Sequence, residues 1–137
     1  GAATMDMFRQ ALERNPVIAA VKSRKMLEKA VCSPAEILFL LSGNICELRE
    51  IVSMVQEKGK QLYIHIDLLD GIGHDSYALK FLAQYAKPDG VISTKTSLIK
   101  SAQECGLKTV QRVFMLDSMS LGTGLELLEH NSLSRTH

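Results

Sequence analysis

The 137-residue chain contains no tryptophan, and aromatic residues make up only 5% of it. Few side chains are therefore available to stack on unpaired bases. Basic and acidic residues nearly cancel, 16 Lys and Arg against 15 Asp and Glu, for a formal charge of +1. That excludes a strongly basic nucleic-acid-binding domain by composition and leaves a local basic face open. Cysteine is scarce. Cys32, Cys46 and Cys105 fit no CxxC or zinc spacing, and an odd, scattered set suits reduced thiols that act as small hydrophobes rather than a disulfide scaffold. Apolar runs such as Ile37 to Leu41 are far too short to span a bilayer. The start, Gly1 to Thr4, has no charged region leading into an apolar one. It reads as a non-native leader ahead of Met5, so a cytoplasmic location is expected.

Nucleotide and catalytic signatures are missing too. Gly71-Ile72-Gly73 lacks the third glycine of a dinucleotide loop, and Gly122-Thr123-Gly124 falls in or near a predicted helix. There is no G-x-S-x-G elbow or Walker motif.

What is present is an ordinary globular balance, 46% apolar and 23% charged, in a length that suits one domain with a core. Phe8 and Leu12 recur at helical spacing between Met5 and Asn15, and Pro16 stops that helix. Pro16 to Val21, Glu36 to Ser42, Gln61 to Leu68, Val91 to Thr94 and part of Leu107 to Leu116 read as buried strands. Between them lie helical patterns. Lys25 to Val31 turns Met26, Leu27 and Ala30 inward. Ile45 to Lys58 carries Leu48, Ile51, Val52 and Val55 on one stripe, with Asn44 as its N-cap and Gly59 just past its end. A helix capped by Asp75 or Ser76 carries Leu79, Leu82 and Ala83. Another, capped by Thr96 or Ser97, runs to Glu104, and a last one starts at Asp117-Ser118 with Leu121, Leu125 and Leu128. The tail, residues 132–137, is polar and unpatterned and reads as disordered; residues 5–131 read as one βα-repeat domain.

Five β-α units after one leading helix imply an α/β fold with a parallel sheet and right-handed crossovers. Two closures fit: a TIM-like barrel, for which the chain is short, or a five-stranded doubly wound sheet. Either one binds ligands at the C-terminal strand ends, and every strand here finishes in polar groups. Strand one ends in Lys22-Ser23-Arg24 and strand two in Ser42-Gly43-Asn44. Strand three ends in His65-Ile66-Asp67, with His65 and Asp67 sharing a face. Strand four ends in Ser93-Thr94-Lys95, and strand five carries Gln111 and Arg112. Buried without partners such groups are costly, so they line a wet cleft or satisfy one another. Lys22, Arg24, Lys95 and Arg112 are the cations able to neutralise a small anion. His65 and Asp67 alone do not make a metal site, because no third ligand has helpful spacing.

Several blocks also carry a resemblance. Leu62 to Gly71 (LYIHIDLLDG) resembles the "HIDL-[IL]-[ED]-G" block of glycerol-3-phosphate-responsive antiterminators, the glycerol uptake operon antiterminator family. Asp89 to Lys95 (DGVISTK) resembles their "DGIISTK", and Thr109 to Ser118 (TVQRVFMLDS) resembles "TIQRxFxxDS". Asn15 to Val21 is like "NPVIPAV", and Phe39 to Gly43 is like "FLLxG". The order and spacing are family-like from about Phe8 to Leu128.

The resemblance implies a TIM-barrel-like fold of parallel βα repeats and a regulator that catalyses nothing. It implies no cofactor beyond the effector glycerol 3-phosphate, and an mRNA leader as partner, bound so as to prevent termination. His65, Asp67, Ser93, Lys95, Gln111 and Arg112 become the expected ligand-site residues, with Lys95 and Arg112 offsetting phosphate charge. Asp67 and Gln111 would meet the glycerol hydroxyls. The family pattern continues through a "PD-[FY]-[IV]-E" strand and an "AGG" turn, whereas here Glu126 to Asn131 gives way to Ser132 to His137. The chain therefore reads as an incomplete barrel with five βα units, lacking the late loops that usually hold phosphate. An open strand edge invites a homodimer. The alternative function is a sugar-phosphate lyase or isomerase, with Lys95 as amine and His65 or Asp67 as acid–base.

Overall fold

A computed structural model describes residues 2–112. The elements alternate as read from the sequence: α1 (Ala2–Arg14), β1 (Ile18–Val21), α2 (Arg24–Val31), β2 (Ile37–Leu40), α3 (Leu48–Glu57), β3 (Gln61–His65), α4 (Ser76–Phe81), β4 (Gly90–Ser93), α5 (Thr96–Glu104) and β5 (Lys108–Gln111). A 3-10 turn (Ile66–Leu68) follows β3, and a π-helical turn (Leu82–Ala86) continues α4. The helix predicted from Asp117 and the tail from residue 132 lie outside the described residues.

The strands are all parallel and stand in the order β1-β2-β3-β4-β5. A doubly wound sheet reverses direction at a switch point, so its spatial order departs from chain order. Strictly sequential order, with each crossover stepping the same way, is that of a TIM-like barrel. The choice left open by the sequence is therefore settled: the scaffold is TIM-barrel-like and is not closed, because among the described residues β1 and β5 each pair on one side only.

Strand alternation splits the apolar residues into two layers. Leu38, Leu40, Leu62, Ile64 and Val91 point to the side covered by α2–α5, where Leu27, Ile51, Val55, Leu79, Leu98 and Ala102 meet them. Ile18, Ile37, Phe39, Tyr63, Ile92 and Val110 point to the other side, which in a barrel is the interior, and pack with Phe8, Ala11 and Leu12 of α1. Phe8 meets Tyr63 edge-on, ring centres 5.2 Å apart. Gln61, at the start of β3, donates to the carbonyl of Met7. So α1 plugs the N-terminal end of the sheet and, among the described residues, leaves the C-terminal end free for a site.

Local details depart from the sequence reading for physical reasons. Met26 is exposed; Leu27, Ala30 and Val31 are the buried face of α2. Asn44 does not cap α3, which begins at Leu48. Its Oδ1 instead accepts from the N–H of Cys46 in an Asx turn. The surrounding backbone pairs with the loop after β3, Asp70 N–H donating to Gly43 and Ile45 N–H to Asp70. Neither Thr96 nor Ser97 caps α5; Lys95 holds that position without a side-chain cap. Asp75 does cap α4, donating no proton and accepting from Ala78 N–H at 3.0 Å. Gly59 and Gly106 follow α3 and α5 at φ +72° and +83°, the left-handed end that glycine permits. The cysteines are free, but only Cys105 packs on the core, while Cys32 and Cys46 are exposed.

Candidate functional site

The site is built at the C-terminal ends of β3, β4 and β5. β3 stops at His65, earlier than expected, and the buried Ile66 anchors the 3-10 turn that follows. That turn, rather than strand alternation, aims Asp67 at the end of β4. Its Oδ1 accepts from the Ser93 hydroxyl at 3.0 Å, and its Oδ2 accepts from Thr94 N–H at 2.9 Å and the Thr94 hydroxyl at 3.1 Å. Ser93 is fully buried, and its hydroxyl oxygen accepts Lys95 N–H at 2.9 Å. Burial pushes the Asp67 carboxyl up, but the Thr94 and Ser93 hydrogen bonds outweigh it and hold the carboxyl below the usual range. Asp67 is thus an ionised clamp on the β4–α5 loop.

His65 is 3% exposed and shares its strand face with Tyr63. Its Nε2 lies 3.4 Å from an Arg112 Nη1. A guanidinium has only donors, so Nε2 accepts and the ring hydrogen sits on Nδ1; the tautomer is inferred from this contact. Nδ1 has no hydrogen-bond partner and is the sole such buried side-chain atom among the described residues. Asp67 Oδ2 stands 4.0 Å from it, too far for a direct bond. Burial pushes the His65 pKa down; Asp67 pulls it up, and Arg112 lowers it further. The ring is therefore neutral at physiological pH.

Arg112 follows β5, its N–H extending the ladder to the Ser93 carbonyl at 2.9 Å. Val110 faces the same side as Tyr63 and Ile92, so Arg112, two residues on, returns to the side of His65. Gln111 falls on the opposite face and donates to the Thr96 hydroxyl at 2.9 Å, tying β5 to the start of α5. Lys95 is exposed, with Nζ 3.0 Å from Nδ1 of His74 in the loop before α4. No spacing in the sequence singled out His74.

Five of the six expected residues are thus linked. His65 meets Arg112 and faces Asp67, Asp67 binds Ser93, and Ser93 binds the backbone of Lys95. Gln111, the register partner of Ser93, spends its amide on Thr96 instead. The β1 cations do not join them: Arg24 is ion-paired with Glu50 of α3, and Lys22 lies at the far side of the sheet. Chemically the cluster offers an unpaired donor and a carboxylate 4.0 Å apart. A hydroxyl can bridge such a pair by accepting from one and donating to the other. Arg112 stands beside them as a cation. Among the described residues no three His, Cys, Asp or Glu side chains are placed to hold a metal. No helix among them is long and apolar enough to cross a membrane.

The chain has clear relatives. It is 40% identical over 109 residues to the uncharacterized protein YgcP of Escherichia coli (strain K12), covering 80% of this chain and 57% of that protein. The crystal structure of a glycerol uptake operon antiterminator regulatory protein from Listeria monocytogenes superposes with a TM-score of 0.70 at 32% identity, over 85% of this chain and 63% of that one. A glycerol uptake operon antiterminator-related protein from Thermotoga maritima superposes with a TM-score of 0.64 at 27% identity, over 83% and 64%. The chain therefore spans a little under two thirds of the length of these relatives. Residues 17–134 match the glycerol-3-phosphate responsive antiterminator family. The chain belongs to that family.

Proposed function

We propose that the chain is a regulator that binds glycerol 3-phosphate at the ends of β3–β5 and, in response, binds the mRNA leader of a glycerol operon and prevents termination. The observation that carries the ligand half is the unpaired Nδ1–H of His65 facing the Asp67 carboxylate at 4.0 Å. A glycerol hydroxyl accepts from Nδ1–H and donates to Asp67, while Arg112 and Lys95 offset the phosphate charge. Family membership supports the regulatory half. The effector acts by binding the RNA-competent state more tightly, because only differential affinity shifts a population.

The lyase or isomerase reading has less support. An amine nucleophile is activated by desolvation or by neighbouring cations, and Lys95 is exposed beside His74.

A thermal-shift series with glycerol 3-phosphate, glycerol and inorganic phosphate tests the ligand. A rise in Tm specific to glycerol 3-phosphate, without its turnover, is expected. An equal rise with plain phosphate, or no rise, overturns it. Tighter binding of a leader transcript in the presence of the effector tests the RNA half.

A further inference from the structure

The described aromatic residues divide sharply. Phe8, Phe39 and Tyr63 are buried in the sheet interior, whereas Tyr77, Phe81 and Tyr85 are 73%, 37% and 58% exposed. The exposed three are spaced four residues apart, so they form one stripe along α4 and its π-helical continuation. The Phe81 and Tyr85 rings touch, centres 5.3 Å apart, and Lys80 Nζ lies 5.0 Å over the Tyr77 ring. From Ser76 to Pro88 the only charges are Lys80 and Lys87; no acidic residue occurs there. Exposed Gln84 sits between the rings in sequence.

Single exposed apolar residues are normal on a protein surface. Three aromatic rings in one row, on a segment whose own charges are two lysines, are a different pattern. We propose that this stripe is a binding surface for single-stranded RNA. Aromatic faces stack on bases of any identity, and lysines attract the phosphates. The Phe81 and Tyr85 ring centres stand 5.3 Å apart. That exceeds the 3.4 Å rise of stacked bases, so each ring takes its own unstacked base, the form in which loops and bulges are read. A second copy of the chain fits the surface less well. A two-fold interface lays a patch on itself, which would bring Lys80, near the middle of the stripe, against its own copy.

The inference rests on the RNA-binding reading above and names a surface for it. Fluorescence anisotropy of the full chain, saturated with glycerol 3-phosphate, with short labelled oligo(A) and oligo(U) single strands tests it. Tyr77→Ala and Tyr85→Ala are each expected to weaken binding roughly ten-fold, and Tyr85→Phe, which keeps the stacking face, to stay within about two-fold. These rings are exposed, so circular dichroism should show all variants folded. Wild-type binding that the alanine variants leave unchanged overturns the surface and spares the RNA-binding reading. No wild-type binding to either strand overturns both. Loss of self-association in the alanine variants without loss of RNA affinity identifies the stripe as a protein contact and also overturns the proposal.

Discussion

The carboxylate of Asp67 accepts the backbone N–H of Thr94 at 2.9 Å, so a residue just beyond β3 holds the loop that starts α5. With the two hydroxyl bonds to the same carboxylate, this is a charge-assisted cluster. Asp67→Asn keeps the shape and loses the charge, and should cost about 1–2 kcal/mol at neutral pH. The Asp67 pKa is depressed, so its stabilising contribution is present above the ordinary carboxylate range and is lost as pH falls through the folded-state value. The gap between wild type and variant in urea unfolding should therefore narrow below about pH 4. A gap that stays constant down to that pH contradicts an ionised clamp.

His65 makes the opposite kind of demand. The folded protein holds the ring neutral, while the unfolded chain protonates near the ordinary value of about 6.5. The unfolded state then binds more protons, so stability is full above that pH and falls as pH drops below it. Melting temperatures between neutral and mildly acidic pH should decline in the wild type and decline less in His65→Asn. Parallel curves for the two proteins would remove His65 as the source.

Arg112 and Gln111 are neighbours in sequence that point to opposite faces of the sheet at the end of β5. If glycerol 3-phosphate sits on the His65 side, Arg112→Ala should weaken it about ten-fold or more, as expected for a lost charge-assisted contact. Gln111→Ala, which removes only the bond to Thr96, should change affinity by no more than about two-fold, an effect within a few tenths of a kcal/mol. Calorimetric titration reads both. Equal losses would mean that the ligand contacts the helix side of the strand.

Gly90 opens β4 where the sheet leaves no room for a side chain. A Cβ there would lie 2.5 Å from the Lys108 carbonyl oxygen and 2.6 Å from the Tyr63 ring. Backbone and a packed aromatic cannot both yield, so Gly90→Ala should destabilise by about 1–3 kcal/mol. Chemical denaturation measures this, and an unchanged midpoint would show that β4 and β5 can part more easily than their pairing suggests.

Much of the scaffold was readable from local pattern. Short apolar runs alternating with helical stripes located all five strands and the helices between them, and Asp75 and Gly59 marked helix ends through chemistry that acts within a few residues. Boundaries failed where a long-range contact competed with a local one. Asn44 has the side chain of an N-cap, yet its segment pairs with Asp70, and α3 starts later. Met26 lies on a helical apolar pattern, yet the sheet covers only the Leu27 side.

For the candidate site, βα alternation and residue type already brought His65, Asp67, Ser93, Lys95 and Arg112 to one end of the sheet, because parallel strands joined by helices must all finish on the same side. Their division of labour was not legible there. A 3-10 turn after β3 committed Asp67 to the Thr94 loop, the pleat sent Gln111 to the helix side, and packing left His65 Nδ1 without a partner. Sequential strand order, which chose an open barrel over a doubly wound sheet, was equally out of reach. Periodicity reports which residues seek burial. It carries no information on which neighbour a strand or a hydrogen-bonding group will find, since those contacts join segments tens of residues apart.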